Sequence, residues 1–233
     1  MAFCASIYPP TMRDGLNYAD SFVLNDLAIK AGKKDSVFIE VGSWMGHSSC
    51  VLGQVAKDCG GKLYCIDHWK GSPGVPHHKR EGVFADFMFN INKFGVADCI
   101  TPLVMDSASA SKEFEDGVAD LVFIDANHWY ADVKQDIELW MPKIKKGGIL
   151  CGHDCEGYYD DYSFPSRQHI DQDTEQDVSM ANCHGGVVKA LHDCFGKEYK
   201  LWAKPFKIVN EDNLCALTYT SMWYKEIKEI DGL

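Results

Sequence analysis

Acidic residues stand where four successive predicted strands end. The residues that close these strands are Glu40, Asp67, Asp106 and Asp125. In an open α/β sheet, ligands bind in the crevice outside the carboxyl ends of the strands. We therefore expect the four side chains to converge on one crevice, where carboxylates can accept hydrogen bonds from hydroxyl or amino groups of a ligand.

Two histidines accompany carboxylates in the second half of the chain. His128 follows Asp125 by three positions, and His153 directly precedes Asp154. Since an unperturbed imidazole titrates near neutral pH, His128 is the candidate general base. The alternative is that His128 caps the following helix or orients Asp125. Together these imidazoles and carboxylates could also hold a metal ion such as Fe²⁺.

A glycine-containing loop follows the first predicted strand. In residues 37–49, a β-branched and aromatic run leads to Gly42 and Gly46. This pattern predicts a buried strand and a tight turn whose backbone can approach a ligand closely. Because Ser43 and Trp44 follow Gly42, the spacing differs from the G-x-G-x-x-G of nicotinamide-dependent dehydrogenases, which makes a nicotinamide cofactor the least favoured option.

Strands and helices alternate along most of the chain. Strands are predicted from residue 37 and over 62–66, 100–105, 121–124 and 148–152, and helices over 17–31, 48–56, 84–94 and 130–144. Alternation of this kind predicts a parallel sheet covered on both faces. The expected fold class is α/β: a Rossmann-like, doubly wound, mostly parallel sheet flanked by helices. Residues 199–202 and 214–220 are expected to pair as an antiparallel edge.

The length of 233 residues suits a single domain spanning 1–233. Within it we expect an N-terminal helix at about 14–31 and an insertion at about 155–183. That insertion is rich in Asp and Tyr and shows no clear periodicity. Long segments of this kind are usually functional, so we expect a lid over the substrate. Trp223 and Tyr224 could pack on a second copy in a homo-oligomer or complete the core.

Composition excludes several classes of protein. A net charge of −11 argues against binding to nucleic acid, which requires a basic face. The N-terminal sequence lacks the pattern of a signal peptide, and no apolar run approaches the ~20 residues of a membrane span. We therefore expect no membrane partner and a cytoplasmic protein whose ten cysteines are reduced thiols.

Two blocks of sequence carry a resemblance to a known family. The pattern E-x-G-x-x-x-G-x-S at residues 40–48 resembles the first motif of class I S-adenosylmethionine (SAM)-dependent methyltransferases. Residues 123–130 and 147–154 match F-I-D-x-x-H-x-Y and G-G-x-L-x-x-H-D, a block found in a broad family of small-molecule methyltransferases. The resemblance implies methyl transfer from SAM to a small-molecule acceptor, with an Asp/His-assisted deprotonation of a hydroxyl group.

The resemblance also implies roles for individual residues. Glu40 would lie near the methionine part of SAM, Asp67 would accept hydrogen bonds from the ribose, and His68 would pack on the ribose or adenine. The whole implied cofactor site comprises Glu40, Gly42, Ser43, Gly46, Ser48, Asp67, His68, Asp106, Ser107 and Asp125. The implied catalytic residues are His128, Asp125 and His153.

A divalent metal is a further implication, taken from catechol-type O-methyltransferases. Asp125 and Asp154 occupy places comparable to those of its ligands there, but Cys155 stands where those enzymes have Asn. A thiol is a poor ligand for Mg²⁺, whereas His153 could substitute for the Asn if the metal were softer. Two alternatives stay open: an iron-dependent hydroxylase-like relative, and a SAM-binding partner protein without catalysis.

The acidic character of the insertion bears on the methyl acceptor. Carboxylates near the entrance would repel an anionic or phosphorylated molecule unless a metal screened the charge. We therefore expect a neutral polyhydroxylated or phenolic acceptor, or a cationic amine.

Overall fold

The computed structural model describes residues 16–71, 81–172, 175, 183–202, 206–209, 215–218 and 220–228. Parts of three expected elements lie outside these residues: 14–15 of the N-terminal helix, 173–174 and 176–182 of the insertion, and 214 and 219 of the edge strand. Across the described part of the chain, helices long and apolar enough to span a bilayer do not occur.

The centre of the molecule is a seven-stranded sheet. Its strands are β1 (Val37–Val41), β2 (Lys62–Asp67), β3 (Ile100–Val104), β4 (Ala119–Ile124), β5 (Ile144–Gly152), β6 (Lys200–Leu201) and β9 (Trp223–Glu226). Their order across the sheet is β3-β2-β1-β4-β5-β9-β6. The first five are parallel, and β9 runs antiparallel to both β5 and β6. The expected mostly parallel sheet with an antiparallel edge is confirmed.

Helices cover both faces of this sheet. They are α1 (Tyr18–Ala31), α2 (His47–Asp58), α3 (Val83–Lys93), α4 (Ser107–Ala110), α5 (Tyr130–Trp140), α6 (Phe164–Gln172) and α7 (Gly185–Phe195). Alternate residues of β1 and β4 point to opposite faces, so Phe38 packs with α1, α2 and α3 while Ile39 packs with α5 and α7. The sheet is therefore buried on both sides, as a doubly wound fold requires.

The end of α5 differs from the expectation. The apolar pattern predicts a helix over 130–144, but α5 ends at Trp140 and a 3₁₀ turn follows at Met141–Lys143. Pro142 lies in that turn, where its lack of an N–H group and its ring are incompatible with a continuing α-helix. As a result β5 begins at Ile144, earlier than the expected start at residue 148.

The antiparallel edge is also built differently from the expectation. Residues 199–202 were expected to pair with 214–220, but β6 pairs instead with β9, where Leu201 lies opposite Trp223. Cys215–Thr218 (β8) pairs with Phe206–Val209 (β7) in a separate hairpin. The physical reason for this pairing is that β9, placed beside β5, buries Trp223 almost completely in the core.

The described part of the insertion contains ordered structure. A 3₁₀ turn at Tyr159–Asp161 precedes α6, which the sequence pattern did not indicate. Cys155, Ile170 and Cys183 are buried in the same core cluster as α7. This packing anchors both ends of the insertion to the domain, while its role as a lid stays a prediction.

Candidate active site

A cavity of about 540 Å³ opens at the carboxyl ends of the parallel strands, around the point where β1 and β4 are neighbours. At this point the strand order reverses, which is where ligands bind in open α/β sheets. The described carboxylates that line it are Asp67, Asp106, Asp125, Asp132, Asp136 and Asp154, and the imidazoles are His68, His128 and His153. Asp67, Asp106 and Asp125 therefore share one crevice. Glu40 is not part of its lining.

The loop after β1 is held by Asp67. One carboxylate oxygen of Asp67 accepts the backbone N–H groups of Ser43 (3.2 Å) and Trp44 (2.9 Å), and the other accepts the N–H of Trp69 (2.6 Å). Gly42 has φ +89°, and a Cβ there would lie 2.0 Å from the carbonyl oxygen of Asp125. Glycine is thus required because the end of β4 passes directly against this loop.

Glu40 lies beneath the loop rather than in the cavity. Its side chain is fully buried and accepts a hydrogen bond from the hydroxyl of Ser49. Burial raises the pKa of Glu40, and hydrogen bonds from Ser48, Ser49 and Ser43 oppose that shift. Gly46, at φ +85°, is the residue that directly precedes α2. Four of the residues implied for the cofactor, Glu40, Ser43, Gly46 and Ser48, therefore support the loop from outside the cavity lining.

A second group of polar residues surrounds the start of α4. Asp106 caps this short helix by accepting the backbone N–H and the hydroxyl of Ser109, both at 2.8 Å, and these bonds lower the pKa of Asp106. The hydroxyl of Ser107 donates to Asp136 and accepts from the indole N–H of Trp140 at 2.8 Å. Burial raises the pKa of Asp136 to about 7.

The histidines and carboxylates after β4 and β5 form one continuous cluster. Nε2 of His128 lies 3.0 Å from Oδ2 of Asp154 and 3.8 Å from Oδ1 of Asp125. Nδ1 of His153 lies 3.1 Å from Oδ1 of Asp154 and 3.9 Å from Oδ1 of Asp125. The structure thus brings together all three residues expected to be catalytic and both residues expected to bind a metal.

Charge interactions within this cluster are strong. Burial disfavours the charged form of His153, but Asp154, Asp20 and Asp125 outweigh it and raise the pKa of His153 well above its usual value. Burial likewise opposes the charge on Asp154, but His153 and His128 lower the pKa of Asp154 well below its usual value. Asp154 also has φ +61°, a left-handed conformation that strained functional residues often adopt.

Three further residues join the cluster although they were not in the expected site. Asp20 of α1 lies 3.1 Å from Nε2 of His153, and Nδ1 of His184 lies 2.6 Å from Oε1 of Glu156 and 3.6 Å from Oδ1 of Asp154. Burial would lower the pKa of His184, but the hydrogen bond to Glu156 raises it.

Only His184 carried a sequence signal. It precedes the pair Gly185-Gly186, and a Cβ at Gly186 would lie 2.2 Å from the carbonyl oxygen of His128. The start of α7 therefore packs directly on the backbone of the active site. Asp20 sits in an ordinary capping box with Asn17, and Glu156 sits among many acidic residues, so neither stands out in the sequence.

Comparison with known proteins places this geometry in context. The model of a family described as “Methyltransferase domain” matches residues 39–155. Among curated proteins, the chain is 27% identical over 124 residues to the uncharacterized protein y4gI of Sinorhizobium fredii. That match covers 51% of this chain but 13% of the relative, so the chain spans only a small part of that protein's length.

Solved structures with the same fold include two that this chain matches over nearly its whole length. The cofactor-bound Rv0187 from MTB has a TM-score of 0.61 and 14% identity, and the match covers 96% of this chain and 85% of that one. A SAM-dependent O-methyltransferase from Thermotoga maritima has a TM-score of 0.59 and 16% identity, with coverage of 96% and 70%. At these identities the likeness is one of fold.

Proposed function

We propose that this chain, which belongs to the methyltransferase domain family, is a class I SAM-dependent methyltransferase that methylates a hydroxyl group of a small molecule. The observation that carries this proposal is the pairing of His128 with Asp154 at 3.0 Å in the same cavity that Asp67 and Ser107 line. A candidate base and the candidate cofactor site thus share one space. The fold likeness to an O-methyltransferase supports oxygen as the methylated atom.

Cofactor binding is proposed for the half of the cavity formed by β1, β2 and β3. Asp67 and His68 would face the ribose, and Asp106 and Ser107 the adenine. Gly42 and Asp125 also line the cavity and would face the methionine part. Glu40, Ser43, Gly46 and Ser48 would contribute by shaping the loop rather than by touching the cofactor, which agrees with their burial beneath it.

Methyl transfer to oxygen requires alignment and removal of a proton. The methyl carbon is already activated by the sulfonium, so the protein has to place the hydroxyl in line and take up its proton. His128 is the proposed base. Asp154 would orient the ring and stabilise the imidazolium that forms, as carboxylates do beside catalytic histidines. Asp125 and His153 line the same cavity and would also face the acceptor.

A divalent metal fits the same cluster. The oxygen atoms of Asp125 and Asp154 and a nitrogen of His153 all lie within 4.8 Å of one another, and oxygen and imidazole donors together suit such an ion. Asp125 and Asp154 would hold it. When bound, it would lower the pKa of the acceptor hydroxyl. Neutral polyhydroxylated, phenolic or cationic acceptors suit the acidic cavity better than anionic ones.

A second candidate function of this chain is iron-dependent hydroxylation, which would make it a hydroxylase-like relative of the methyltransferases. The observation that favours it is a second cluster, His128, Asp154 and His184, because two imidazoles and one carboxylate are the ligands of many non-haem iron oxygenases. Iron measured in the purified protein, with loss of that iron in His184→Ala, would favour this reading over methyl transfer.

Ligand binding gives the first test of the proposal. Thermal unfolding is measured with SAM, S-adenosylhomocysteine and NAD⁺, each with and without EDTA. A ligand at a hundredfold above its dissociation constant should raise the melting temperature by roughly 5–10 °C. We expect this shift with both adenosyl ligands, none with NAD⁺, and loss of the shift in Asp67→Ala but not in the distant control His192→Gln.

Turnover gives the second test. Incubation with SAM and a panel of hydroxylated and amine acceptors should yield products that are heavier by one methylene group, with release of S-adenosylhomocysteine. Binding without turnover on any acceptor, in wild type and in His128→Gln alike, would instead support a SAM-binding partner protein.

A further inference from the structure

Two buried side chains that lie outside the cavity lining donate hydrogen bonds to the loop after β1. The indole N–H of Trp69, which follows β2, donates to the carbonyl oxygen of Trp44 at 2.7 Å. The side-chain amide of Asn90, on α3, donates to the carbonyl oxygen of Met45 at 2.9 Å. Trp69 is 7% exposed and Asn90 is 3% exposed, and neither lines the cavity. Two successive carbonyl groups of one loop are thus held from two other parts of the fold.

The backbone conformation of this loop explains why it has to be held. Gly42 and Gly46 have φ values of +89° and +85°, and Trp44, which lies between them, has φ +44°. A bulky residue rarely adopts this left-handed conformation and keeps it only where the surrounding structure fixes it. The N–H of Trp44 donates to Asp67 at 2.9 Å, and its carbonyl accepts from Trp69. Both polar backbone groups of Trp44 are therefore bonded to the segment at the end of β2.

Helix α2 does not supply partners for the two carbonyl groups. The carbonyl of Gly46 accepts the N–H of Cys50 at 3.0 Å as α2 begins, but the two carbonyls before it precede the helix. Met45 is 5% exposed, and a buried carbonyl group without a hydrogen-bond partner destabilises the fold. The donors have to come from elsewhere, and Trp69 and Asn90 provide them.

Packing of α3 alone does not explain these two side chains. The ring of Trp69 contacts Phe84 and Phe87 of α3, with centroid distances of 4.7 and 5.0 Å, and a phenylalanine ring could make similar contacts. Asn90 is a polar residue among apolar ones, and its Oδ1 is buried without a hydrogen-bond partner in the described ranges. Since such an acceptor is unfavourable, an apolar residue would suit the packing of α3 better. What the two side chains share is an N–H group directed at the loop.

We propose that Trp69 and Asn90 are positioning residues that hold the loop after β1 in the conformation that receives the cofactor. Gly42 and Trp44 of this loop line the cavity, so a shift of the loop would change the shape of the site. A binding loop that is already ordered raises affinity, because less conformational freedom is lost when the ligand binds. The proposal rests on the proposed function, since that function assigns the loop to SAM.

The first variant removes the N–H group of Trp69. Trp69→Phe keeps an aromatic ring but leaves the carbonyl of Trp44 without this donor. The contribution of one hydrogen bond corresponds to about 3- to 10-fold in an equilibrium constant, so we expect the affinity for S-adenosylhomocysteine, measured by calorimetry, to fall by about that factor. Trp223→Phe is the matched control. Trp223 is also buried, but its Nε1 has no hydrogen-bond partner in the part of the chain that the structure describes, so its affinity should equal that of wild type.

The second variant removes the amide of Asn90. Asn90→Leu keeps a side chain of similar size and should also weaken S-adenosylhomocysteine binding by about 3- to 10-fold. Asn92→Leu is its control, because Asn92 is exposed and donates to the carbonyl of Met88 within α3 at 2.7 Å. The melting temperature of each ligand-free variant shows that it is folded at the assay temperature. A residue that only stabilised the fold would lower this temperature and leave the affinity of the folded protein unchanged.

Kinetics with an acceptor from the panel give a second readout. We expect KM for SAM to rise by the same factor in Trp69→Phe and Asn90→Leu while kcat changes little, because the proposed base lies on the other side of the cavity, after β4. Wild-type affinity for S-adenosylhomocysteine in both folded variants, or an equal loss in their controls, overturns the proposal and leaves the proposed methyltransferase function intact. A wild-type protein that binds neither SAM nor S-adenosylhomocysteine overturns both.

Discussion

At the scale of single residues, the proposed base His128 is the position where a substitution should most clearly lower turnover without changing cofactor affinity. His128→Gln removes an imidazole that pairs with Asp154 at 3.0 Å but keeps a polar side chain of similar size. General acid–base catalysis contributes about 10²–10⁴-fold, so we expect kcat to fall by that factor. The affinity for S-adenosylhomocysteine should stay unchanged, as measured by calorimetry, because His128 is proposed to face the acceptor and not the cofactor.

A matched control for this prediction is available on α7. His192 stacks on Tyr159, and it is not part of the cavity lining. His192→Gln should therefore keep the wild-type kcat. Comparable turnover in His128→Gln and His192→Gln would contradict the assignment of His128 as the base.

Asp136 gives a prediction on stability and pH. Burial raises its pKa in the folded protein to about 7, above the ordinary value of about 3.9 in the unfolded chain. The folded state therefore binds the proton more tightly, so the contribution of Asp136 to stability is fully present below about pH 4 and is lost as the pH rises through 7. Asp136→Asn keeps an acceptor for Ser107 and removes the ionisation.

We therefore expect Asp136→Asn to be more stable than wild type at pH 8, by up to about 4 kcal/mol, with the difference shrinking toward pH 4. Urea unfolding across this pH range measures it. Glu138→Gln, on the exposed side of the same helix, is the control and should show no such pH-dependent difference. A difference in the free energy of unfolding between Asp136→Asn and wild type that does not change with pH would contradict the assignment of a raised pKa to the buried Asp136 carboxyl group.

The acidic residues at the strand ends could be predicted to share a crevice, but the groups that their side chains contact could not be predicted from the sequence. The pattern indicated that Asp67, Asp106 and Asp125 share a crevice, because the carboxyl ends of parallel strands meet. It could not indicate that Asp67 holds its own loop through Ser43 and Trp44, since those bonds depend on how the loop turns. Asp20 was missed for the same reason, because its contact with His153 joins two distant parts of the chain.

At the scale of elements, the packing of α7 on the loop after β4 positions the active site. A Cβ at Gly186 would lie 2.2 Å from the carbonyl oxygen of His128 and 2.7 Å from the backbone nitrogen of Tyr130. Gly186→Ala must therefore push α7 and the His128 backbone apart. Overpacking of this kind destabilises by about 1–3 kcal/mol, which urea unfolding should detect, and kcat should fall because His128 moves.

Gly117→Ala is the control for Gly186→Ala. Gly117 has φ +67° and no atom within 4 Å of an added Cβ, so alanine there strains only the local backbone by about 1–2 kcal/mol. The two variants should thus lose similar stability, but only Gly186→Ala should lose turnover. Equal kcat in both would show that the α7 contact does not position His128.

The type of each element could be predicted where the local sequence signals agreed. The predicted boundaries and strand partners are wrong where tertiary packing determines them. The five parallel strands and their crossover helices follow from apolar runs separated by turn residues. The end of α5 was misjudged because the apolar pattern continues through Pro142 into β5. The partner of β6 was misjudged because burial of Trp223 against β5, rather than any local pattern, selects β9.

At the scale of the whole molecule, the order of strands locates the cavity before any side chain is considered. The reversal of strand order between β1 and β4 leaves a gap at their carboxyl ends, and the first motif and the Asp125–His128 segment border it from either side. The net charge of the chain is a weaker guide to the position of the site, because it is summed over the whole molecule. The structure shows where acidic groups gather, since six described carboxyl groups line the cavity.

This concentration of charge predicts a dependence of cofactor affinity on salt. SAM carries a positive sulfonium, whereas S-adenosylhomocysteine has no net charge, so the acidic cavity should attract SAM more strongly at low ionic strength. Salt shortens the screening length from about 30 Å at 0.01 M to about 8 Å at 0.15 M and 3 Å at 1 M. We expect SAM to bind about fivefold more weakly at 0.5 M NaCl than at 0.02 M, corresponding to about 1 kcal/mol, and S-adenosylhomocysteine to change little.

Calorimetry with both ligands at the two salt concentrations measures this difference, and two variants locate its origin. Asp132→Asn removes one carboxylate from the cavity and should reduce the salt dependence of SAM binding. Asp116→Asn removes an exposed carboxylate that lies outside the cavity lining and should leave that dependence unchanged.

The affinities of SAM and S-adenosylhomocysteine could instead depend on salt to the same extent in wild type. That result would mean that the carboxylates are neutralised before SAM binds. A resident cation beside Asp125 and Asp154 is one way to neutralise them, so the comparison is repeated after EDTA treatment, where removal of such an ion should restore the preference for SAM.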